Sequence, residues 1–124
     1  MKAFSDLEQS KKLAEILPIE SADMYWWSSG KRYYIEAMDD GDFNEEEGHV
    51  RAWSLAALIN IIPQELFDGE YIINITEGCD NRWVLTYDHY ENRNNSYYSL
   101  STGADNLVDA CYEFILKLNE LNLL

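Results

Sequence analysis

The fold is read from one stretch, Tyr71-Ile72-Ile73-Asn74-Ile75-Thr76-Glu77-Gly78-Cys79-Asp80-Asn81-Arg82-Trp83-Val84-Leu85-Thr86-Tyr87-Asp88. Successive side chains on a strand point to opposite faces, so Tyr71, Ile73 and Ile75 share one face, and Ile72, Asn74 and Thr76 the other. Trp83, Leu85 and Tyr87 alternate with Val84, Thr86 and Asp88 in the same way. Residues 77–81 between them hold a glycine and read as a hairpin connection. Polar residues 91–95 then form a second turn, and residues 96–100 supply a third strand. Three antiparallel strands joined by short turns make a meander.

Working outward, Leu107, Cys111, Phe114, Leu118 and Leu121 step by three or four residues, with Ala110 on the same stripe, which predicts a helix over 105–121. Asp105 and Asp109 lie at its start, where negative charge suits the helix dipole. Residues 52–62 are apolar almost all round and stop at Pro63, as expected of a helix buried in a core or under a partner. Met24-Tyr25-Trp26-Trp27 and Tyr33-Tyr34-Ile35-Glu36-Ala37-Met38 favour strands. Ser28-Ser29-Gly30-Lys31 supplies a turn between them, giving a hairpin. Near the start, Ser5-Asp6-Leu7-Glu8 has the form of a capping box. Phe4, Leu7, Ala14 and Leu17 recur at helical spacing, widened by Leu13 and Ile16, and Pro18 ends the segment, so a helix is expected over 5–17. The order α-β-β-α-β-β-β-α implies a single α+β domain over 1–124, an antiparallel sheet with helices mainly on one face.

A chain of 124 residues suits one domain and can bury a core without disulfides or metal. Four Trp, nine Tyr and four Phe argue against a disordered chain. The apolar runs fall short of the roughly 20 residues that span a bilayer. The first 25 residues lack a signal-peptide pattern. Two cysteines, Cys79 and Cys111, do not make a disulfide framework, and a reducing, cytoplasmic setting is the simpler expectation. The sequons at Asn74 and Asn94 then carry no meaning.

The formal net charge of −14 is unevenly spread. Residues 1–32 are neutral, residues 33–80 carry −11 and residues 81–124 carry −3. Residues 39–47 alone hold six acids and no base, and 39–48 is expected to be an exposed acidic loop. Such a field repels nucleic acid and anionic membrane and favours basic partners, so neither direct nucleic-acid binding nor membrane binding is expected. High net charge is also a general solubility device.

Recognisable chemistry is sparse. Asp40-Gly41-Asp42-Phe43-Asn44 opens like a calcium loop, but position 6 is Glu45 instead of glycine and position 12 is Arg51 instead of glutamate. His49 and His89 have no cysteine or second histidine at zinc spacing. Cys111 sits on an apolar stripe, where a cysteine behaves as a small hydrophobe. The sequence contains no phosphate-binding glycine loop, no G-x-S-x-G and no H-E-x-x-H, and no catalytic residue, cofactor or metal ligand is assigned. Aromatics are the stronger lead. Alternation places some of Tyr25, Trp26, Trp27, Tyr33 and Tyr34 away from the core, and exposed Tyr and Trp commonly anchor interfaces. Tyr97 and Tyr98, and Tyr87 near Tyr90, repeat the pattern.

Three blocks carry a resemblance. Residues 13–26, with the core Glu20-Ser21-Ala22-Asp23-Met24-Tyr25-Trp26, are one. Ala52-Trp53-Ser54-Leu55-Ala56-Ala57-Leu58 is the second, and Asp105-Asn106-Leu107-Val108-Asp109-Ala110-Cys111-Tyr112-Glu113 the third. In that order they resemble a family of small uncharacterised proteins encoded in prophages, conjugative elements and genomes of gut anaerobic bacteria. The resemblance implies a bacterial cytosolic or phage-associated accessory protein and brings no activity or cofactor. The acidic run is not part of it.

Two functions are therefore expected. One is a non-catalytic module that binds a protein, self-association included, through the aromatic hairpin, with Tyr25, Trp27 and Tyr33 as binding residues. The alternative is an acidic mimic of nucleic acid that occupies a basic host protein through Asp39, Asp40, Asp42, Glu45, Glu46 and Glu47. Salt separates them, since charge-driven binding weakens steeply with ionic strength and apolar anchoring does not.

Overall fold

A computed structural model of the chain describes residues 2–38, 41–78, 80–92 and 101–124. Among the described residues, helices α1 (Leu7–Ala14), α2 (Leu55–Ile61) and α3 (Leu107–Glu120) combine with seven strands. These are β1 (Met24–Ser28), β2 (Tyr33–Ala37), β3 (Val50–Ala52), β4 (Glu65–Leu66), β5 (Tyr71–Glu77), β6 (Trp83–His89) and β7 (Thr102–Ala104). The α+β class holds. The strands divide between two antiparallel sheets, β2-β1-β3 and β4-β5-β6-β7, where the sequence suggested one. The short strands β3, β4 and β7 carry too few residues to show an alternating pattern. The expected strand 96–100, with Tyr97 and Tyr98, lies outside the described residues, as do Asp39, Asp40, Cys79 and Asn94.

The central hairpin forms as read, with Tyr71 opposite His89 and Glu77 opposite Trp83. Its inner face carries Leu85 and Tyr87, both fully buried, and packs on α3. The Tyr87 ring stacks on Phe114, with centroids 5.4 Å apart, and its hydroxyl donates to the Pro63 carbonyl at 2.6 Å. Burial raises the Tyr87 pKa. Val108, Phe114, Ile115 and Leu118 give α3 its buried stripe, and Asn106 caps it by accepting from the Asp109 N–H.

Two helix starts differ from expectation. The first helix is capped by Asp6 and Gln9, whose side chains reciprocally bond each other's backbone N–H, not by Ser5 and Glu8. Ser5 is instead buried, its hydroxyl 2.7 Å from that of Ser10 and accepting from the Trp53 N–H. A buried polar pair tied to a backbone donor outweighs a surface cap, which shifts the start by one residue. The second helix begins at Leu55 because Ser54 caps it, accepting from the Ala57 N–H. Residues 50–52 are given to β3, and Trp53 is fully buried with its indole N–H on the Ser21 hydroxyl. Only one side of α2 reaches the core: Leu58 is buried, while Ala56, Ile59 and Asn60 are exposed.

Candidate functional site: an open aromatic hairpin edge beside an acidic turn

The β1–β2 hairpin closes through Ser29, which donates to the Arg32 carbonyl, with Gly30 at φ +97° in the turn. A side chain is disfavoured at that φ, so glycine sets this turn. The register pairs Ser28 with Tyr33, Trp27 with Tyr34, Trp26 with Ile35, Tyr25 with Glu36 and Met24 with Ala37. At the far end, Met38 donates to the Asp23 carbonyl. The Ser29–Arg32 and Asp23–Met38 bonds fix the phase of the ladder, because hydrogen-bonded pairs alternate along antiparallel strands. Tyr34 and Glu36 thus bond inward to β1. The N–H and C=O groups of Tyr33, Ile35 and Ala37 point outward.

Nothing pairs with them among the described residues, since β2 is the outer strand of its sheet. Four of its five residues are exposed, Tyr33 at 50% and Tyr34 at 41%. The opposite edge differs: α1 packs against β3, and Phe4 forms a bridge to Ser54. Natural sheet edges are commonly guarded by Pro, Lys or a bulge. Tyr33-Tyr34-Ile35-Glu36-Ala37 has no Pro or Lys and runs in unbroken register with β1.

The binding residues expected from sequence separate. Tyr33 stands exposed on the edge strand. Trp27 is half-buried, stacked on Tyr34 with centroids 4.7 Å apart, and its buried indole N–H has no hydrogen-bond partner among the described residues. Tyr25 is only 3% exposed, which removes it as a surface anchor. Its hydroxyl donates to Glu36, and its ring packs on His49 at 5.1 Å and Phe43 at 5.6 Å. Sequence reading named Tyr34 among the hairpin aromatics without choosing it as a binding residue, and gave Phe43 and His49 no part in this surface. An aromatic followed five residues later by Gly48 was the available signal for an ordered turn.

That turn carries the acids. Glu45–Glu47 form a 3₁₀ turn capped by Asn44, which accepts from the Glu46 N–H and donates its own N–H to His49 Nδ1. Gly48 closes it at φ +86°. Asp42, Glu45, Glu46 and Glu47 are exposed. Glu45 pairs with Arg51 at 2.6 Å, and Arg51 also donates to the Leu17 carbonyl. The two residues that break the calcium-loop pattern are thus the pair that anchors the run to the body.

Elsewhere the chemistry is quiet. Cys111 is fully buried, and burial pushes its thiol up to about 12, far from a reactive thiolate. Among the described residues no three His, Cys, Asp or Glu side chains gather into a metal-holding group. No helix among them is long and apolar enough to cross a membrane. A groove of about 770 Å³ runs between α2 and β5, lined by Ala56, Ile59, Ile62, Ile72 and Ile75. Specific ligand pockets add convergent polar groups to such walls. Here Asp23 is already engaged by the backbone N–H and hydroxyl of Ser54, and the other polar lining is Glu20, Ser21, Asn60 and Gln64. In comparisons with family models, curated proteins and solved structures, the chain matches none of them.

Proposed function

We propose that the chain is a small non-catalytic accessory protein, cytosolic and of prophage or mobile-element origin, that works as a protein-interaction module. Its contact surface is the outer edge of the β1–β2 hairpin. One observation carries the reading: an exposed, unguarded strand whose Tyr33, Ile35 and Ala37 backbone groups point away from the sheet. An extended segment laid along such an edge gains main-chain hydrogen bonds. Tyr33, Tyr34 and Trp27 add aromatic surface of the kind that anchors interfaces. The origin and compartment rest on the resemblance of the three sequence blocks.

Capture from a bacterial lysate tests it, with wild type, Ala37→Pro and a protein neutralised at Asp39, Asp40, Asp42, Glu45, Glu46 and Glu47 run in parallel under a salt gradient. Proline at 37 removes an outward N–H while sparing the inward bonds to β1. Retention that survives high salt, ignores the neutralised run and disappears with Ala37→Pro is the expected result. A basic nucleic-acid-binding protein released by moderate salt, and lost only with the neutralised protein, would favour acidic mimicry instead.

A further inference from the structure

The backbone phase, the side-chain sizes and the charges of β2 are self-complementary. We infer that the segment that docks on this edge is β2 of a second copy, antiparallel and centred on Ile35. The inference rests on the reading of β2 as a docking edge and names its occupant.

The backbone makes the first argument. Outward groups occur at Tyr33, Ile35 and Ala37. An antiparallel pairing about Ile35 sets Tyr33 opposite Ala37 of the second copy, Ile35 opposite its counterpart, and Ala37 opposite Tyr33. Every outward group then has a partner, since hydrogen-bonded residues face each other directly in antiparallel ladders. Sliding either strand by two residues leaves one end unpaired. The two three-stranded sheets become one continuous sheet of the order β3-β1-β2-β2-β1-β3.

Side chains make the second. On the face shared by Tyr33, Ile35 and Ala37, a large residue meets a small one at each end, with the two isoleucines between them. On the other face lie Arg32, Tyr34 and Glu36, with Arg32 and Glu36 both exposed. Tyr34 falls opposite Glu36 of the second copy, and Arg32 falls on the diagonal beside that same Glu36, within reach of long side chains. Twofold symmetry repeats the contact. A parallel pairing in register would set Arg32 beside Arg32 and Glu36 beside Glu36, and like charges at such positions are destabilising. Net charge of −14 on each copy opposes association at low ionic strength, so screening by salt favours it.

Sedimentation equilibrium over a concentration series at physiological salt provides the test, with circular dichroism confirming that each variant folds. Wild type is expected to show a monomer–dimer equilibrium. Ala37→Pro is expected to remain monomeric. Arg32→Glu places like charges together at both symmetric contacts and should weaken the dimer about tenfold, and the swap Arg32→Glu with Glu36→Arg should recover it. A monomeric wild type, a dimer indifferent to Ala37→Pro, or a swap weaker than Arg32→Glu alone would each overturn the inference. A monomeric wild type that still captures a lysate protein through Ala37 would overturn the second copy and leave the docking edge standing. Monomer with capture indifferent to Ala37→Pro would remove both.

Discussion

Lys2 and Asp109 are separated by 107 residues, yet their side chains meet at 2.7 Å. The Asp109 carboxylate also accepts from Gln9 and Asn106, which ties the first residues and α1 to the start of α3. Partial burial pushes the Asp109 carboxyl up, but these hydrogen bonds, Lys2 first among them, outweigh it and hold the carboxyl below its ordinary 3.8. Asp6, bonded by the Gln9 N–H and Lys2, is held low against the same upward push. A carboxyl held low in the fold stabilises above its ordinary pKa and surrenders that stability as pH falls through the folded value. Urea unfolding followed from neutral pH into the acid range should therefore show wild type weakening below about pH 4. Asp109→Asn should cost about 1 kcal/mol or less at neutral pH, because the pair is partly exposed to screening solvent, and its acid decline should be shallower. Equal declines in the two proteins would contradict this assignment. None of this network is visible in local sequence. The spacing of Ser5 and Glu8 suggested a cap that the structure assigns to Asp6 and Gln9, because Ser5 is taken by a contact with Trp53 that no local pattern encodes.

Single elements were legible where periodicity is strong. β5, β6 and α3 appear where alternation and helical stepping place them, and the glycine turn joins β1 to β2, although Ser28 belongs to the strand and not, as expected, to the turn. Residue 52 was read into the helix and 50–51 were given no strand, because a three-residue strand has no period of its own, and the apolar run through Ile62 obscured the Ser54 cap. The acidic run was read as an exposed loop, and its described acids are exposed. What composition could not show is that Phe43 and His49 fasten it over Tyr25. Among the described residues the carboxylates enter this anchoring only through the Glu45–Arg51 pair and the approach of Glu47 to His49 at 3.8 Å. Neutralising Asp39, Asp40, Asp42, Glu45, Glu46 and Glu47 together should leave the thermal transition cooperative. The lost surface contacts are worth about 1 kcal/mol each at most, and relief of like-charge repulsion offsets them. Collapse of the transition would mean that the acids themselves hold the turn.

At the scale of the molecule, one apolar core links both sheets' surroundings: Leu13, Trp53, Leu58, Tyr87 and Phe114 belong to a single buried cluster. The hairpin β1–β2 has one edge against β3, and the other is unpaired among the described residues. Openness of an edge depends on what fails to pair with it across the whole fold. Tyr25, Trp27 and Tyr33 therefore looked equivalent in sequence and separated only once the sheet was assembled. Amide hydrogen exchange reads that edge residue by residue. In dilute protein Tyr34 and Glu36, bonded to β1, and Met38, bonded to Asp23 just before it, should exchange slowly, while Tyr33, Ile35 and Ala37 exchange fast. Raising the concentration, or adding a captured partner, should slow the second set selectively in wild type and not in Ala37→Pro. Uniform protection along β2 in the dilute protein, or a second set that stays fast under every condition, would contradict the claim that this strand is the docking edge.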